Sequence, residues 1–241
     1  VVSITEDKFA IPTKAASPDA VPLDPILLLA QPRALRVVQE APYYLAVIDQ
    51  TQEAVDSALA GEAGLGVLLA TGTKATPAHR DITVGIDDGS GYEEAGQAEF
   101  VTDTQLLADL PAQGDSAVIT VPTSTALDGV TANSLALLGE EIVRIDSMTP
   151  NGTDVDIGIG RGCLDTVPVA HASGTTLIFL QRADPREEQF LAGETIGVKL
   201  LTNLSARRLS LFTAPEDTVT FASRAIRPYP PGNLQVNGSL V

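Results

Sequence analysis

The sequence is poor in several residue types that mark particular kinds of protein. A single cysteine, Cys163, among 241 residues excludes an internal disulfide and a cysteine-rich zinc site. The two histidines, His79 and His171, leave little for a histidine-based metal centre. Tryptophan is absent and aromatic residues make up 4%, so surfaces that stack on bases or sugars are poorly supplied. We therefore expect no metal and no cofactor.

Basic residues and long apolar runs are also scarce. The 15 Lys and Arg residues stand against 31 Asp and Glu residues, a formal net charge of −16. Such an acidic surface repels phosphates, which argues against specific nucleic-acid binding and against docking on anionic lipid. The longest apolar run, Ile26 to Ala30, is too short to span a membrane, and no signal peptide is visible. Because Val1 stands in place of an initiator Met, we expect a fragment or a processed product.

What the chain does contain indicates a folded protein rich in turns. Hydrophobic residues make up 44%, which is too high for a disordered chain. The 20 glycines and 16 prolines favour many turns and short elements. At about 150 residues per domain, the length suggests one large or two small domains.

The dominant hydrophobic period is two, which predicts half-buried strands. Glycine-containing turn signals separate the strands, at Asp88-Gly89, Leu138-Gly139, Asn151-Gly152 and Ser173-Gly174. One helix is predicted over Gln52 to Ala60, capped by Thr51 and stopped by Gly61. The expected fold is mainly β, with antiparallel sheets or barrel-like lobes and this one short helix. The alternating positions are Ile82, Val84 and Ile86; Val155, Ile157 and Ile159; Ile196, Val198 and Leu200; Leu209 and Leu211; and Val219 and Phe221.

Composition changes along the chain predict three regions. We expect an N-terminal β-rich lobe over residues 1–120, which holds the helix near 51–61, and a second β-rich lobe over 121–228. Residues 229–241 are predicted to be a linker toward a missing domain, because the stretch from Arg227 to Gly232 is stiff and proline-rich. The proline-rich stretch from Ala15 to Pro32 is predicted to be an extended connector or arm.

Several carboxylates are candidates for a catalytic or metal site. Glu140 and Glu141 offer a carboxylate pair, but adjacent strand residues point to opposite faces, so a charged hairpin turn is favoured over acid–base catalysis. The segment 87–91 offers oxygens to calcium, yet its spacing fits a plain hairpin turn better. Asp154 and Asp156 share a strand face, which favours a solvated surface over a metal site.

Two further patterns have a chemical and a structural interpretation. Gly158, Gly160 and Gly162 suggest a phosphate loop, but the spacing and the absence of a following helix favour close backbone packing. Cys163 and His171 are a nucleophile–base pair in principle. Nothing in the sequence activates the thiol, so a buried structural cysteine is favoured.

One segment resembles a known family. It runs Leu138-Gly-Glu-Glu-Ile-Val-Arg-Ile, then a hairpin turn, then Val155-Asp-Ile-Gly-Ile-Gly-Arg-Gly, and continues through His171 to Gly174 and an apolar strand. This pattern resembles tailed-phage tail-tip or tip-attachment (central tail hub) proteins, which also occur in gene transfer agents. The stretches Thr5–Pro12 and Gln39–Tyr44 resemble strand starts in the upstream region of that family. The stretch Arg227–Gly232 resembles its passage into a fibronectin type III-like domain. The matching positions are Gly139, Glu140, Ile142, Arg161, Gly162, Thr166, His171 and Gly174.

The resemblance implies a structural protein and no enzyme activity. The full protein would be a homotrimeric hub at the virion tail tip, assembled in the bacterial host cytoplasm. It would contact other tail proteins, and missing domains would reach a host receptor. Beside the resemblance, Arg161 is expected to pair with a carboxylate such as Glu140 on the neighbouring strand, and His171 to hydrogen-bond backbone. The chain departs from many relatives at Asp165-Thr166, where they have Gly-Thr, and at Cys163-Leu164.

The sequence is also compatible with two alternative functions. A carbohydrate-binding module for the host surface would need exposed aromatics in a groove, and the chain offers four tyrosines and six phenylalanines. A tail-associated hydrolase acting on the cell wall would need convergent carboxylates, for which Glu140, Glu141 and Asp156 are the candidates.

Overall fold

The computed structural model describes residues 30–46, 52–53, 56–57, 66–74, 77–114, 116–183, 185–205, 207–226, 235–236 and 239–240. Within them the protein is mainly β, as the period of two predicted. The strands are β1 Arg36–Glu40, β2 Gly66–Thr73, β3 His79–Asp87, β4 Glu93–Ala98, β5 Phe100–Gln105, β6 Ser116–Pro122, β7 Leu135–Leu138, β8 Glu141–Asn151, β9 Asp154–Gly160, β10 Thr176–Phe179, β11 Pro185–Phe190, β12 Thr195–Leu204, β13 Glu216–Thr220, β14 Gln235–Val236 and β15 Ser239–Leu240.

Helical structure is confined to short pieces in the described residues. Helix α1 spans Tyr43–Ala46, and two 3₁₀-helices span Thr125–Leu127 and Arg224–Ile226. In the interval 51–61, where the sequence predicts a helix, residues 52–53 and 56–57 are described and are helical. The other positions of that interval lie outside the described residues. No helix in the described ranges has the length and apolar character needed to cross a membrane.

The strands form two principal sheets. The larger has nine strands in the order β1-β2-β5-β10-β7-β8-β9-β6, and β11 also pairs with β2. Its pairs are antiparallel except for β2 with β5, which is parallel. The smaller sheet has the order β13-β12-β3-β4, and β14 pairs with β15 in a separate ribbon.

The larger sheet curls around one of the hydrophobic cores. The Leu107 N–H donates to the Thr120 carbonyl oxygen (2.9 Å), which links the end of β5 to β6 at the far side of the sheet. Inward-facing residues of β8 and β9 fill the enclosed space, since alternate strand residues share a face. Among them Val143, Ile145 and Ile157 are fully buried.

The smaller sheet packs on the other half of the larger one. Ile82, Val84 and Val198 are fully buried there, at the alternating positions from which β3 and β12 were predicted. Phe190 stacks on Phe221 in the same core, with ring centroids 4.5 Å apart. The period of two thus places this core correctly.

Two local predictions were wrong. Leu209 and Leu211 do not lie in a strand, because Ser210 organises a turn there: its carbonyl accepts the N–H groups of Thr213 and Ala214. The stretch Gln39–Tyr44 is not a strand start, since it holds the end of β1 and the beginning of α1.

The predicted lobes interleave in the strand pairing. β3 pairs with β12 and β5 pairs with β10, so strands from both sides of residue 120 meet in both sheets. As a statement about units that fold independently, the division into 1–120 and 121–228 stays a prediction. In the predicted linker 229–241 the described residues pair as β14 and β15. Most of the Ala15–Pro32 connector, and all of Thr5–Pro12 and Arg227–Gly232, lie outside the described residues.

A matched pair of valines tests the curled core. Val143→Ala removes two methyl groups from a fully buried site, and we expect a loss of about 2 kcal/mol in the free energy of unfolding. Val118→Ala, on β6 where Val118 is 68% exposed, is expected to change it by less than about 0.5 kcal/mol. Urea unfolding followed by circular dichroism measures both. Equal losses would contradict the burial described for β8.

Candidate functional site

A two-residue turn sets the position of the candidate site. Gly139 and Glu140 connect β7 to β8, and Leu138 faces Glu141 in the strand register. Gly139 has φ +62°, as the first central residue of a type II′ turn requires, and glycine adopts this conformation without strain. Glu140 is therefore exposed at the tip, whereas Glu141 is the first residue of β8 and is 1% exposed.

The Glu141 carboxylate is the centre of a buried cluster. Arg161 donates to both oxygens, with Nε 2.7 Å from Oε1 and Nη2 2.8 Å from Oε2, and both side chains are fully buried. The Gly162 N–H donates to Oε1 (2.8 Å) and the Val169 N–H to Oε2 (3.2 Å). His171 Nε2 is hydrogen-bonded to Oε2 at 2.9 Å. The carboxylate charge is thus paired and hydrogen-bonded at both oxygens, as burial requires.

Arg161 is satisfied on its remaining nitrogens by backbone carbonyls. Nη1 donates to the carbonyl of Pro111 (2.9 Å), and Nη2 also donates to that of Val169 (2.6 Å). The bond to Pro111 joins two residues that are fifty positions apart in the chain. A planar fork of donors suits such multiple attachment, which a lysine ammonium would not reproduce.

Gly162 allows the chain to turn around the cluster. Its φ is +56°, and a Cβ at this position would lie 2.5 Å from Cδ of Pro168. Glycine is therefore required for both conformation and space. Beyond it, the Cys163 N–H donates to the Ile142 carbonyl (2.8 Å), and the Thr166 hydroxyl accepts the Ile142 N–H (3.0 Å). The segment 161–171 is thereby fastened along β8.

His171 and Gly174 attach the same segment to the loop after β5. His171 and Leu110 exchange two backbone hydrogen bonds of 2.8 and 2.7 Å, and the Gly174 N–H donates to the Leu106 carbonyl (2.7 Å). The predicted hydrogen bonds to backbone are thus made by the His171 main chain, whereas the His171 ring is hydrogen-bonded to Glu141. A carboxylate is the stronger acceptor for a ring N–H.

The sequence pattern predicted the correct group of residues but the wrong glutamate as the partner of Arg161. Gly139, Arg161, Gly162 and His171 converge, but the partner of Arg161 is Glu141, and Glu140 is the exposed residue of the turn. The predicted charged hairpin turn therefore holds for Glu140 only. A usable signal was present, because Glu141 shares strand parity with the buried Val143 and Ile145.

Glu141 and Cys163 have shifted pKa values. Burial raises the pKa of Glu141, but hydrogen bonds from Arg161, His171 and the N–H groups of Gly162 and Val169 outweigh burial and hold this pKa below its usual value. Burial raises the pKa of the Cys163 thiol, which makes the thiolate less available. Cys163 Sγ lies 3.5 Å from the Gly160 carbonyl oxygen, whereas the His171 ring bonds Glu141.

A second ionic cluster fixes the other side of the segment. Arg224 donates to both oxygens of Asp165 (2.6 and 3.0 Å) and to the Glu40 carbonyl (2.8 Å). The buried Glu40 carboxylate accepts the N–H groups of Ala222 and Arg224, both at 2.7 Å. Asp165 thus joins the segment to the chain around the second 3₁₀-helix.

The other candidate carboxylates serve local structure. Asp87 Oδ1 accepts the N–H groups of Gly89 and Gly91 in the turn between β3 and β4, which confirms the predicted hairpin turn. Asp156 accepts the Thr120 hydroxyl (2.7 Å) on a partly exposed strand face. In the part of the chain that the structure describes, no three His, Cys, Asp or Glu residues are grouped as metal ligands.

The Glu141 cluster acts as a noncovalent cross-link, in which an ion pair and hydrogen bonds join separate segments of the chain. Both carboxylate oxygens are occupied and sealed from solvent within the described arrangement, so Glu141 presents no free oxygen to a substrate. Comparisons of the sequence with protein-family models and with curated proteins found no match.

Adjacent glutamates provide a direct test of this cluster. Glu141→Gln leaves Arg161 as an unpaired buried charge, and we expect a loss of about 3–5 kcal/mol in the free energy of unfolding. Glu140→Gln removes the same charge one residue away at an exposed position, and we expect a change within about 0.5 kcal/mol. Urea unfolding by circular dichroism measures both. A Glu140→Gln variant as unstable as Glu141→Gln would refute the assignment.

The low pKa of Glu141 predicts acid sensitivity. A carboxyl whose pKa is lower in the folded than in the unfolded chain stabilises the fold above its usual pKa, and this contribution disappears as the pH falls. We expect the free energy of unfolding to decrease as the pH falls from the ordinary pKa range of glutamate toward the lower pKa that Glu141 has in the folded chain. The decrease should be smaller in Glu141→Gln, and unchanged in Glu140→Gln. Urea titrations at a series of pH values measure the slopes, and parallel slopes for all three proteins would contradict the prediction.

Proposed function

We propose that this chain is a structural component of the tail tip of a phage or phage-like particle, where it forms part of a hub for tail assembly and host attachment. The observation that carries the proposal is the sequence pattern from Gly139 to Gly174, whose polar residues form a sealed cross-link. In a structural protein, the polar residues of such a pattern are expected to bond to one another within the fold, as these do.

The charges of the cluster support a mechanical role. Glu141 and Arg161 connect three separate parts of the chain: the β7–β8 hairpin, the loop at Pro111, and the segment 161–171. Arg224 binds Asp165 of the same segment and the backbone carbonyl of Glu40, and so connects the segment to β1. A part that transmits force or holds a defined shape in an assembly needs such long-range fastening of its irregular segments.

The proposal extends to oligomeric state and partners. In the full protein this chain would form a homotrimer, contact other tail proteins and carry further domains toward a host receptor. Exposed strand edges are a ready-made surface for such self-association, because their N–H and C=O groups are unpaired. In the described residues β6 pairs with one strand, β9, although its Thr120 carbonyl also accepts the Leu107 N–H, and its Val118 side chain is 68% exposed.

Immunogold electron microscopy tests the location. Antibodies against the purified chain are applied to particles induced from the source culture, and we expect gold only at the distal end of tails. Antibody absorbed with the purified chain is the control and should leave the particles unlabelled. Unlabelled tails, with the antigen in the soluble cell fraction, would reject the proposal. Binding on a glycan array would then favour the carbohydrate-binding alternative.

A genetic experiment with the two glutamate variants tests whether tail assembly needs the Glu141 cluster. Glu141→Gln in the producing strain is expected to lower the yield of tailed particles strongly, whereas Glu140→Gln should leave the yield unchanged. Counting tailed and tailless particles on grids measures the yield. Normal tails with Glu141→Gln would show that assembly does not need this cross-link.

A further inference from the structure

A continuous cleft lies beside β4, where the smaller sheet meets the larger one. Its two parts have volumes of about 570 and 640 Å³ and share Arg80, Asp81 and Gln97. Residues of β3, β4 and β5 and of the turn at 128–130 line it. Binding sites are usually concave, as this cleft is.

The charge of this cleft is opposite to that of the protein. Five of the chain's 15 basic residues line it, against four of its 31 acidic residues, so the lining carries a formal charge of +1 in a chain of −16. The basic residues are Lys74, Arg80, Arg182, Arg207 and Arg208, and the acidic ones are Asp81, Glu94, Glu99 and Asp128. An acidic protein that gathers a third of its cations at one cleft has a localised attraction for anions.

Two of the guanidinium groups are available to a ligand. Arg208 is paired with Glu94 (2.5 Å), and Arg182 lies 3.8 Å from Glu99. Arg80 and Arg207 are exposed, and their side chains make no hydrogen bond or ion pair with the residues that the structure describes. Guanidinium groups bind carboxylates through paired N–H donors, so these two arginines are suited to carboxylate ligands.

The rest of the surface restricts the class of ligand. A nucleic acid carries its charge evenly along its length, so the phosphates beyond the cleft would meet an acidic surface and be repelled. A short acidic stretch of a polypeptide places its negative charge only where the cleft is positive. Electrostatic complementarity therefore favours an acidic peptide over a nucleic acid.

The edge strand β4 offers such a peptide further contacts. β4 is the last strand of the smaller sheet, where it pairs with β3. An extended peptide can add to a sheet beside an edge strand of this kind. The β3–β4 register shifts between Thr83 and Gly85, so the edge is regular over only a few residues. We expect charged side-chain contacts to dominate the binding.

We propose that this cleft binds a short acidic segment of a partner protein, whose carboxylates pair with Arg80 and Arg207. The inference concerns a surface away from the Glu141 cluster and does not depend on the tail-tip proposal.

Fluorescence anisotropy with a labelled oligoglutamate peptide tests the cleft in the intact chain. We expect saturable binding that weakens as salt is added. Arg80→Gln and Arg207→Gln should each weaken binding about tenfold, the effect of losing one hydrogen-bonded charged contact. The two side chains are exposed and unpaired in the described structure, so both variants should unfold at the same urea concentration as the parent chain.

Arg144→Gln is the matched control. Arg144 is an exposed arginine of β8 that does not line the cleft, and this variant changes the net charge equally. It should bind within about twofold of the parent chain. A peptide with glutamine in place of glutamate should not bind, and a single-stranded DNA oligonucleotide of equal charge should bind more weakly. The proposal is overturned if the parent chain does not bind, if all three arginine variants bind equally, or if the oligonucleotide binds as tightly as the peptide.

Discussion

The buried ion pair of Glu141 and Arg161 is the interaction on which the irregular part of the structure depends. Removing two charges from water is costly, and their mutual attraction offsets this cost only when the remaining donors and acceptors are also used. Here His171 and two backbone N–H groups complete the hydrogen bonding of the Glu141 carboxylate. Two backbone carbonyls complete that of the Arg161 guanidinium. The fifteen-residue connection between β9 and β10 (161–175) therefore has a defined path without forming a strand or a helix.

This connection is held from two sides by different chemistry. On one side the Glu141 cluster lies against β8, and on the other Arg224 binds Asp165 and the chain at Glu40. Hydrophobic packing adds little in between, because the segment contributes only partly buried residues such as Cys163 and Leu164 to the nearby core. Aromatic residues make up only 4% of this chain, and large buried rings are a common source of packing energy. Here the guanidinium groups of Arg161 and Arg224, each with several donors, hold the long connection in place.

The strands were predictable and the polar partners only partly so, for a physical reason. A strand with one buried face shows it as alternation, and Ile82, Val84 and Val198 lie where the alternation placed them. The partner of Arg161 depends on turn length, since a two-residue turn at Gly139 and Glu140 makes Glu141 the inward residue. Pairings such as Glu40 with Arg224, 184 positions apart, and the parallel pairing of β2 with β5 arise from the three-dimensional arrangement. No local pattern in the sequence encodes them.

The pairing of β3 with β12 has a consequence for synthesis of the chain. β3 ends at Asp87, whereas its partner strand β12 spans Thr195–Leu204. More than one hundred further residues must therefore leave the ribosome before the smaller sheet can form. During that interval the apolar side chains of Ile82, Val84 and Ile86 lack the cover that β12 later provides. Non-local pairing of this kind slows folding and leaves strand edges exposed to other chains. The nascent protein is therefore expected to be a substrate for chaperones until β12 has emerged.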